Sequence, residues 1–267
     1  MTSTSAYLLV FHGSRDSGSL LAASQLAGLI LKQLELKIIL AQRSNLSPQL
    51  SSKAARIVTI NSSDFTPLVD IAALELASLP LHQNIVRFAK IACQQGYKQI
   101  KLLPLFLGAG VHVREDIPLE IDKAKQIIAE AIPIELSTYL GNYSAMSRLL
   151  ANKFRQLSGE ERILLAHGSR SKNSNSSIQS LATQLQAEAA YWSVTPHLSD
   201  RIWSSVARGK LKIAILPYFL FAGKIFEAIS TEVERLRTLF PQATLILGEP
   251  LGATSELAAL IVEEMTQ

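Results

Sequence analysis

The tetrapeptide His-Gly-Ser-Arg occurs twice in this chain, at residues 12–15 and 167–170, and each copy follows a short apolar run. A second pair of matching segments lies further along, because residues 96–110 resemble residues 209–223 at a constant offset of 113. Self-similarity of this kind predicts that one structural unit has been duplicated in tandem. The repeat constrains the fold strongly, since both halves must then share one topology.

Each half alternates apolar runs with segments of helical periodicity. The runs at 7–11, 101–107 and 163–166 are apolar on both faces, which is typical of buried parallel strands. Strands that alternate with helices predict an α/β fold with parallel sheets and right-handed crossovers. The other predicted elements are helices at 19–34, 68–77, 83–95 and 144–156 and strands at 37–41, 56–60 and 132–136.

The repeat also predicts the domain division. A short polar connector at 157–160 separates an N-terminal unit, residues 1–157, from a C-terminal unit, residues 158–267. The tetrapeptides are offset by 155 and the Leu-Pro strands by 113, so the first unit carries 42 extra residues between them. This excess falls on a serine-rich segment near residues 42–66, which we interpret as an insertion.

Composition restricts the possible functions. The 267 residues are 48% hydrophobic and carry a net charge of +4, which mildly favours an acidic ligand. The basic residues are scattered, so a nucleic-acid partner is not expected. No apolar stretch approaches the roughly 20 residues of a membrane span, and the first residues lack the basic leader of a signal peptide. With a single cysteine, Cys93, the chain cannot form an internal disulfide, and we expect a cytoplasmic protein.

Two histidines in the first unit are the main candidates for chemistry. His12 ends the first strand, and His112 follows the strand at 101–107, after Gly108 and Gly110, whose backbone freedom is expected to shape the loop. Open α/β sheets bind ligands at the carboxyl ends of their strands, and imidazole ligates metals and acts as a base near neutral pH. His12 could instead be a strand-end residue satisfied by backbone hydrogen bonds. The offset of 113 places Ile225 where a second His112 would lie, so a complete site is expected only in the first unit.

Several other side chains are possible site residues. Glu75 lies in a predicted amphipathic helix, where it is either an exposed residue or a further ligand. Arg15 and Arg170 follow the two tetrapeptide histidines, and Arg114 lies near the same rim; each could bind carboxylates or simply be solvated. Asp116 is expected to cap a helix rather than to take part in chemistry.

Two other functional classes fit the tetrapeptide less well. An α/β-hydrolase oxyanion loop can contain His-Gly, but the sequence has no G-x-S-x-G nucleophile motif. A phosphate site at a helix N-terminus is physically reasonable, although neither a P-loop nor G-x-G-x-x-G is present.

The motifs HGSR, ALEL at 73–76 and LPLFLGAGVHVREDIP at 103–118, repeated imperfectly, resemble the class II tetrapyrrole chelatases. Within that group the chain is similar to the long, two-domain sirohydrochlorin chelatases of the CbiX and SirB type. The resemblance implies two chelatase-like domains, each with a mainly parallel four-stranded sheet flanked by helices, that face each other across a cleft. It implies a monomer whose halves mimic the homodimer of single-domain relatives.

The resemblance also implies an activity. Such a protein inserts Co²⁺ or Fe²⁺ into sirohydrochlorin, a polycarboxylate macrocycle, during cobalamin or siroheme biosynthesis. His12, His112 and Glu75 would form the metal and catalytic site, while Arg15, Arg114 and Arg170 would bind the substrate. The metal is then a substrate, and no tightly bound cofactor is expected. A non-catalytic carrier of metal or tetrapyrrole is the alternative.

Overall fold

The computed structural model describes residues 5–14, 17–44, 66–129, 131–170 and 175–266. Two parallel sheets of four strands each form its framework. The first sheet has the order β2-β1-β3-β4 and the second has the order β6-β5-β7-β8. The strands are β1 (Ser5–Phe11), β2 (Val69–Ala73), β3 (Gln99–Pro104), β4 (Ile134–Leu136), β5 (Glu161–Ala166), β6 (Glu188–Tyr191), β7 (Lys212–Pro217) and β8 (Thr244–Leu247).

Helices connect the strands and cover the sheets. In the described residues they are α1 (Ser17–Ser44), α2 (Leu81–Gln94), α3 (Ile117–Ile128), α4 (Met146–Leu157), α5 (Ser176–Gln184), α6 (Leu198–Ala207), α7 (Lys224–Leu239) and α8 (Ser255–Met265). A π-helical turn, His112–Asp116, leads directly into α3. None of these helices combines the length and the apolar character needed to cross a bilayer.

The predicted α/β architecture and its duplication are confirmed by the strand order, which is identical in the two sheets. The register agrees as well. Pro104 of β3 pairs with Val10 of β1, and Pro217 of β7 pairs with Leu165 of β5, so the two prolines aligned in the sequence occupy equivalent positions. The predicted division after Leu157 falls in the connector between α4 and β5.

Strands β1 and β5 bury both of their faces, and one face of each lies in a core that the two halves share. Tyr7, Leu9 and Phe11 of β1 lie in the same buried cluster as Leu164 and Ala166 of β5. The alternate residues of β1 pack instead under α2 and α3, and those of β5 pack under α6 and α7. Strand alternation therefore assigns one face of each sheet to a local core and the other to the shared core.

The last helix of each half packs on elements of the other half. Helix α4 contacts β7 of the second sheet, and α8 packs against α1. The Tyr7 hydroxyl donates a hydrogen bond to the backbone oxygen of Met265 at the end of α8 (3.3 Å), and the Gln33 side chain donates to the backbone oxygen of Ser255 (2.9 Å). The two halves are thus joined by helix packing and hydrogen bonds as well as by the covalent connector.

Two predicted elements are wrong. Residues 37–41 were expected to form a strand but continue α1, and residues 68–77 were expected to form a helix but contain β2. In both cases tertiary packing overrides local propensity, because β2 pairs with β1 while the end of α1 packs near α8. Most of the predicted serine-rich insertion, with its predicted strand at 56–60, lies outside the described residues.

Glu120 of α3 fixes the helix that follows His112. Its carboxylate accepts hydrogen bonds from the backbone N–H of His82 (2.9 Å), from His82 Nδ1 (2.7 Å) and from Lys123 Nζ (2.7 Å). Partial burial raises the pKa of Glu120, but the hydrogen bonds from Lys123 and His82 outweigh it and lower the pKa to about 2. The ionised carboxylate therefore ties α3 to the start of α2.

This depressed pKa predicts a pH-dependent contribution to stability. The contribution should be complete above pH 4.5, the ordinary value, and should be lost as the pH falls towards 2. Glu120→Gln should lower the free energy of unfolding by about 1–3 kcal/mol at pH 7, and the difference from wild type should shrink below pH 4.5. Urea unfolding between pH 2 and 7 measures this. Glu135→Gln, at an exposed position of β4, is the control, and a constant difference across the range would contradict the prediction.

Candidate metal site

The first sheet brings His12 and Glu75 together at the carboxyl ends of neighbouring strands. His12 directly follows β1, and Glu75 lies two residues beyond β2. The parallel hydrogen-bond ladder continues past both strands, because Leu74 N–H donates to the oxygen of Phe11 (2.8 Å) and Glu75 N–H donates to the oxygen of His12 (2.9 Å). Glu75 is therefore a strand-end residue and not the helix residue that the sequence predicted.

Gly13 permits this close approach of the two loops. Its φ is +94°, and a Cβ added there would lie 2.0 Å from the backbone oxygen of Glu75. Any side chain at this position would push the Glu75 loop away from His12. By contrast, Gly108 and Gly110 do not adopt the left-handed conformation, and a Cβ on either would meet nothing within 4 Å, so the expectation that they shape the loop by backbone freedom is wrong.

His112 reaches the same place from the other neighbour of β1. It follows β3 in the π-helical turn, and its ring centroid lies 4.9 Å from that of His12 with an angle of 81° between the planes. Phe106 flanks both rings, at centroid distances of 6.4 Å from His12 and 6.1 Å from His112. The sequence prediction that two imidazoles converge at the strand ends agrees with this geometry.

Hydrogen bonds fix which ring nitrogen each histidine presents. His12 Nδ1 lies 3.0 Å from the backbone oxygen of Gly13, and His112 Nδ1 lies 2.7 Å from Oδ2 of Asp116. A carbonyl or carboxylate oxygen only accepts, so each Nδ1 must carry the proton. In the neutral rings the Nε2 atoms then keep their lone pairs, which is the state that binds a metal ion or accepts a proton.

Asp116 has a role that the sequence analysis missed. It precedes α3, but its side chain makes no capping hydrogen bond, so the predicted cap is wrong. Its carboxylate instead orients His112, four residues earlier on the same helical turn. The i,i+4 spacing of a histidine and an aspartate was the sequence signal that could have identified this pair.

Glu75 stands beside the imidazole pair without being fixed by it. Its Oε1 lies 3.9 Å from Nδ1 of His112, and 49% of its side chain is exposed. In the described part of the chain no three His, Cys, Asp or Glu side chains are already arranged as a metal-binding cluster. The ordered part of the site is the pair of imidazoles, with the Glu75 carboxylate within reach.

A cavity of about 500 Å³ opens in front of His12, between the two halves. The first half lines it with residues of the β1–α1 loop, with Ser19 and with Leu105. The second half lines it with the continuous segment 219–226, which joins β7 to α7. The second half is therefore a wall of this cavity.

The predicted arginines are not part of the described cavity lining. Arg114 is an exposed residue of the π-helical turn, two residues beyond His112, and Arg170 is exposed after β5 in the second half. Arg15 lies outside the described residues. Lys224, which the sequence analysis did not single out, is the lysine that lines the cavity.

The second half lacks the equivalents of two site residues. Ser193 N–H donates to the oxygen of His167 (2.9 Å), as Glu75 N–H does to that of His12, so Ser193 is the structural counterpart of Glu75. Glu188, which the offset of 113 pairs with Glu75, begins β6 at the far end of the strand and binds Arg201 and Arg208. Ile225 stands in place of His112, so of the three site residues the second half keeps only the equivalent of His12, which is His167.

Comparison with known proteins identifies related sequences. The sequence model of the CbiX family matches residues 37–157 and 161–267, which include Glu75 and His112, while His12 precedes the first match. The sirohydrochlorin ferrochelatase of Priestia megaterium is 23% identical over 212 residues, which cover 74% of this chain and 77% of that protein.

Solved structures of related proteins share the fold. SirB from Bacillus subtilis with Fe³⁺ aligns with a TM-score of 0.70 at 20% identity, covering 99% of this chain and 94% of that one. The sirohydrochlorin chelatase SirB from Bacillus subtilis subspecies spizizenii, in complex with cobalt, aligns with a TM-score of 0.64 at 20% identity, covering 98% and 93%. At this level of identity the likeness establishes the fold.

The contact between Asp116 and His112 predicts a tautomeric effect. Without the carboxylate, Nδ1 loses its acceptor, so in Asp116→Ala the neutral His112 ring should populate both tautomers. The ¹⁵N chemical shifts of its ring nitrogens report this directly. Asp122→Ala, an exposed position of α3, should leave the shifts unchanged. Identical His112 shifts in wild type and Asp116→Ala would contradict the assigned role.

Proposed function

The chain belongs to the CbiX family, and on that premise we propose that it is a sirohydrochlorin chelatase, which inserts a divalent metal ion into sirohydrochlorin. The observation that carries the proposal is the pair of imidazoles whose rings lie 4.9 Å apart, next to a cavity of about 500 Å³. The Nδ1 atom of each ring is taken up by a hydrogen bond, which leaves Nε2 as the nitrogen that can bind a metal ion. Such a site combines metal ligands, proton acceptors and room for a macrocycle.

The relatives supply the substrate and the candidate metals. One is a sirohydrochlorin ferrochelatase, and SirB structures hold Fe³⁺ or cobalt. Imidazole and carboxylate ligands accept either metal, so Fe²⁺ and Co²⁺ are both candidate substrates here. The membership of the CbiX family also agrees with the resemblance to class II chelatases drawn from the motifs.

In the proposed mechanism His12 and His112 take up the incoming ion. Their Nε2 atoms replace part of its water shell, and Glu75, which is half exposed, turns towards the ion as a further ligand or stays as a base. Two or three protein ligands leave coordination positions open. Open positions suit an ion that must be passed on to the ring nitrogens and not retained.

Insertion also requires the loss of two protons from the pyrrole nitrogens of the macrocycle. An imidazole that has released the metal accepts one proton at Nε2, and the Glu75 carboxylate accepts the other. Because Asp116 already orients His112, Glu75 is free for this task. The products are the metallated ring and two protons on side chains that exchange with solvent.

The two halves, residues 1–157 and 158–267, are proposed to act as one unit within a monomer. The first contributes the histidines and the second closes the cavity from the opposite side. Arg15, Arg114 and Arg170 remain candidates for binding peripheral carboxylates, since a guanidinium group binds a carboxylate bidentately.

The test of the function is spectrophotometric. Purified protein, sirohydrochlorin and either Fe²⁺ or Co²⁺ are mixed, and the visible spectrum is followed with substrate in large excess over protein. Conversion of many equivalents per protein chain supports the chelatase. A shift that stops at one equivalent would instead indicate a carrier, and comparison of the two metals gives the preference.

The asymmetry of the halves predicts unequal effects of histidine substitutions. His112→Ala removes one of the two imidazoles and should lower the rate of insertion by about 100-fold or more. His167→Ala, its matched control in the second half, should change the rate less than about twofold, because Ser193 and Ile225 stand where the partners would be. Initial rates at limiting metal measure both. Equal losses would contradict the assignment of the site to the first half.

A further inference from the structure

The wall of the cavity that faces His12 has a distinct chemical character. It is formed by the continuous segment 219–226 of the second half. Phe219, Phe221 and Phe226 are partly exposed there and give it an apolar, aromatic surface. A surface of this kind suits the flat face of a conjugated ring, which gains free energy when apolar area leaves water.

Lys224 interrupts this apolar wall with a positive charge. Among the described residues that line the cavity it is the only lysine, arginine, aspartate or glutamate. It is exposed, and it takes part in none of the ion pairs within the described residues. No acidic side chain in that lining competes for it.

The surroundings of Lys224 favour an anion. It is the first residue of the 16-residue helix α7, and Gly223 before it provides no side-chain cap for the helix. The first turn also contains Glu227, which is exposed and lies outside the cavity lining. On the side of the cavity, the backbone N–H groups of the first turn and the positive end of the helix dipole add to the charge of Lys224. An aromatic wall with a cation at its edge matches a ligand that is apolar on its face and anionic on its rim.

The duplication makes the position of Lys224 informative. It corresponds to Val111, and the next residue, Ile225, corresponds to His112. In the second half, the segment that would have carried a metal ligand carries an aliphatic side chain and a cation instead. It therefore has the residues to bind an organic anion and lacks the imidazole to bind a metal.

We propose that Lys224 pairs with a peripheral carboxylate of the tetrapyrrole, so that the second half is the docking wall that holds the macrocycle against the histidines of the first half. This inference rests on the proposed function for the identity of the macrocycle. Lys224 is a substrate-binding residue in it and takes no part in metal binding or proton transfer.

The experiment measures binding of sirohydrochlorin to the metal-free, full-length protein by absorbance titration. Lys224→Gln should raise the Kd about threefold to tenfold at low salt, whereas Lys224→Arg should stay within about twofold of wild type. Lys212→Gln is the matched control, because Lys212 is an exposed lysine at the opposite end of β7. The difference between wild type and Lys224→Gln should narrow as NaCl rises from 50 to 500 mM, since salt screens exposed charges.

Steady-state kinetics separate this role from others. Lys224→Gln should raise the KM for sirohydrochlorin and leave both kcat and the KM for the metal within about twofold of wild type. Equal Kd values for wild type and Lys224→Gln at low salt would overturn the inference, and so would a lower kcat with an unchanged Kd. If the wild type binds the macrocycle but inserts no metal, the chelatase proposal fails while the Kd comparison still decides the role of Lys224.

Discussion

The structure depends on the core that the two sheets share. β1 and β5 are apolar on both faces, so each needs a cover on two sides, and one of these covers comes from the other half. Tyr7, Leu9 and Phe11 meet the same cluster as Leu164 and Ala166, and helices α1, α4 and α8 complete it. This packing orients the sheets so that the loop after β1 and the segment after β7 border one cavity. The position of the candidate site is therefore set by the burial of apolar side chains in the shared core, which lies away from the site itself.

The fold was largely predictable because the same order of apolar runs and helical segments occurs in both halves, and each occurrence supports the interpretation of the other. The buried strands, the parallel topology and the two histidines at strand ends all follow from residues close together in sequence. Residues 68–77 were misassigned because Ala, Leu and Glu favour helices, whereas pairing with β1 decides the outcome. The same error hid the position of Glu75. Local propensity contains no information about a neighbouring strand that lies about 60 residues earlier in the chain.

The chemistry of the site was less predictable than its location. The sequence suggests histidines, but the hydrogen bonds to Gly13 and Asp116 determine which ring nitrogen keeps its lone pair. The sequence also contained no indication that Lys224 lines the cavity. Its segment aligns with the one that carries His112, and the missing histidine was the difference that stood out. The two copies have diverged: the first contributes the paired imidazoles of the candidate site, and the second forms the opposing wall of the cavity.

The interlocked terminal helices have a consequence for the history of the chain. Since α4 contacts β7 and α8 packs against α1, a gene cut at the connector would yield two fragments, each with an uncovered apolar surface. Each half therefore depends on the other to bury its apolar surface. Because both copies lie in one chain, they are always present in equal number, and Ile225 can replace a histidine in the second copy while His112 is kept in the first.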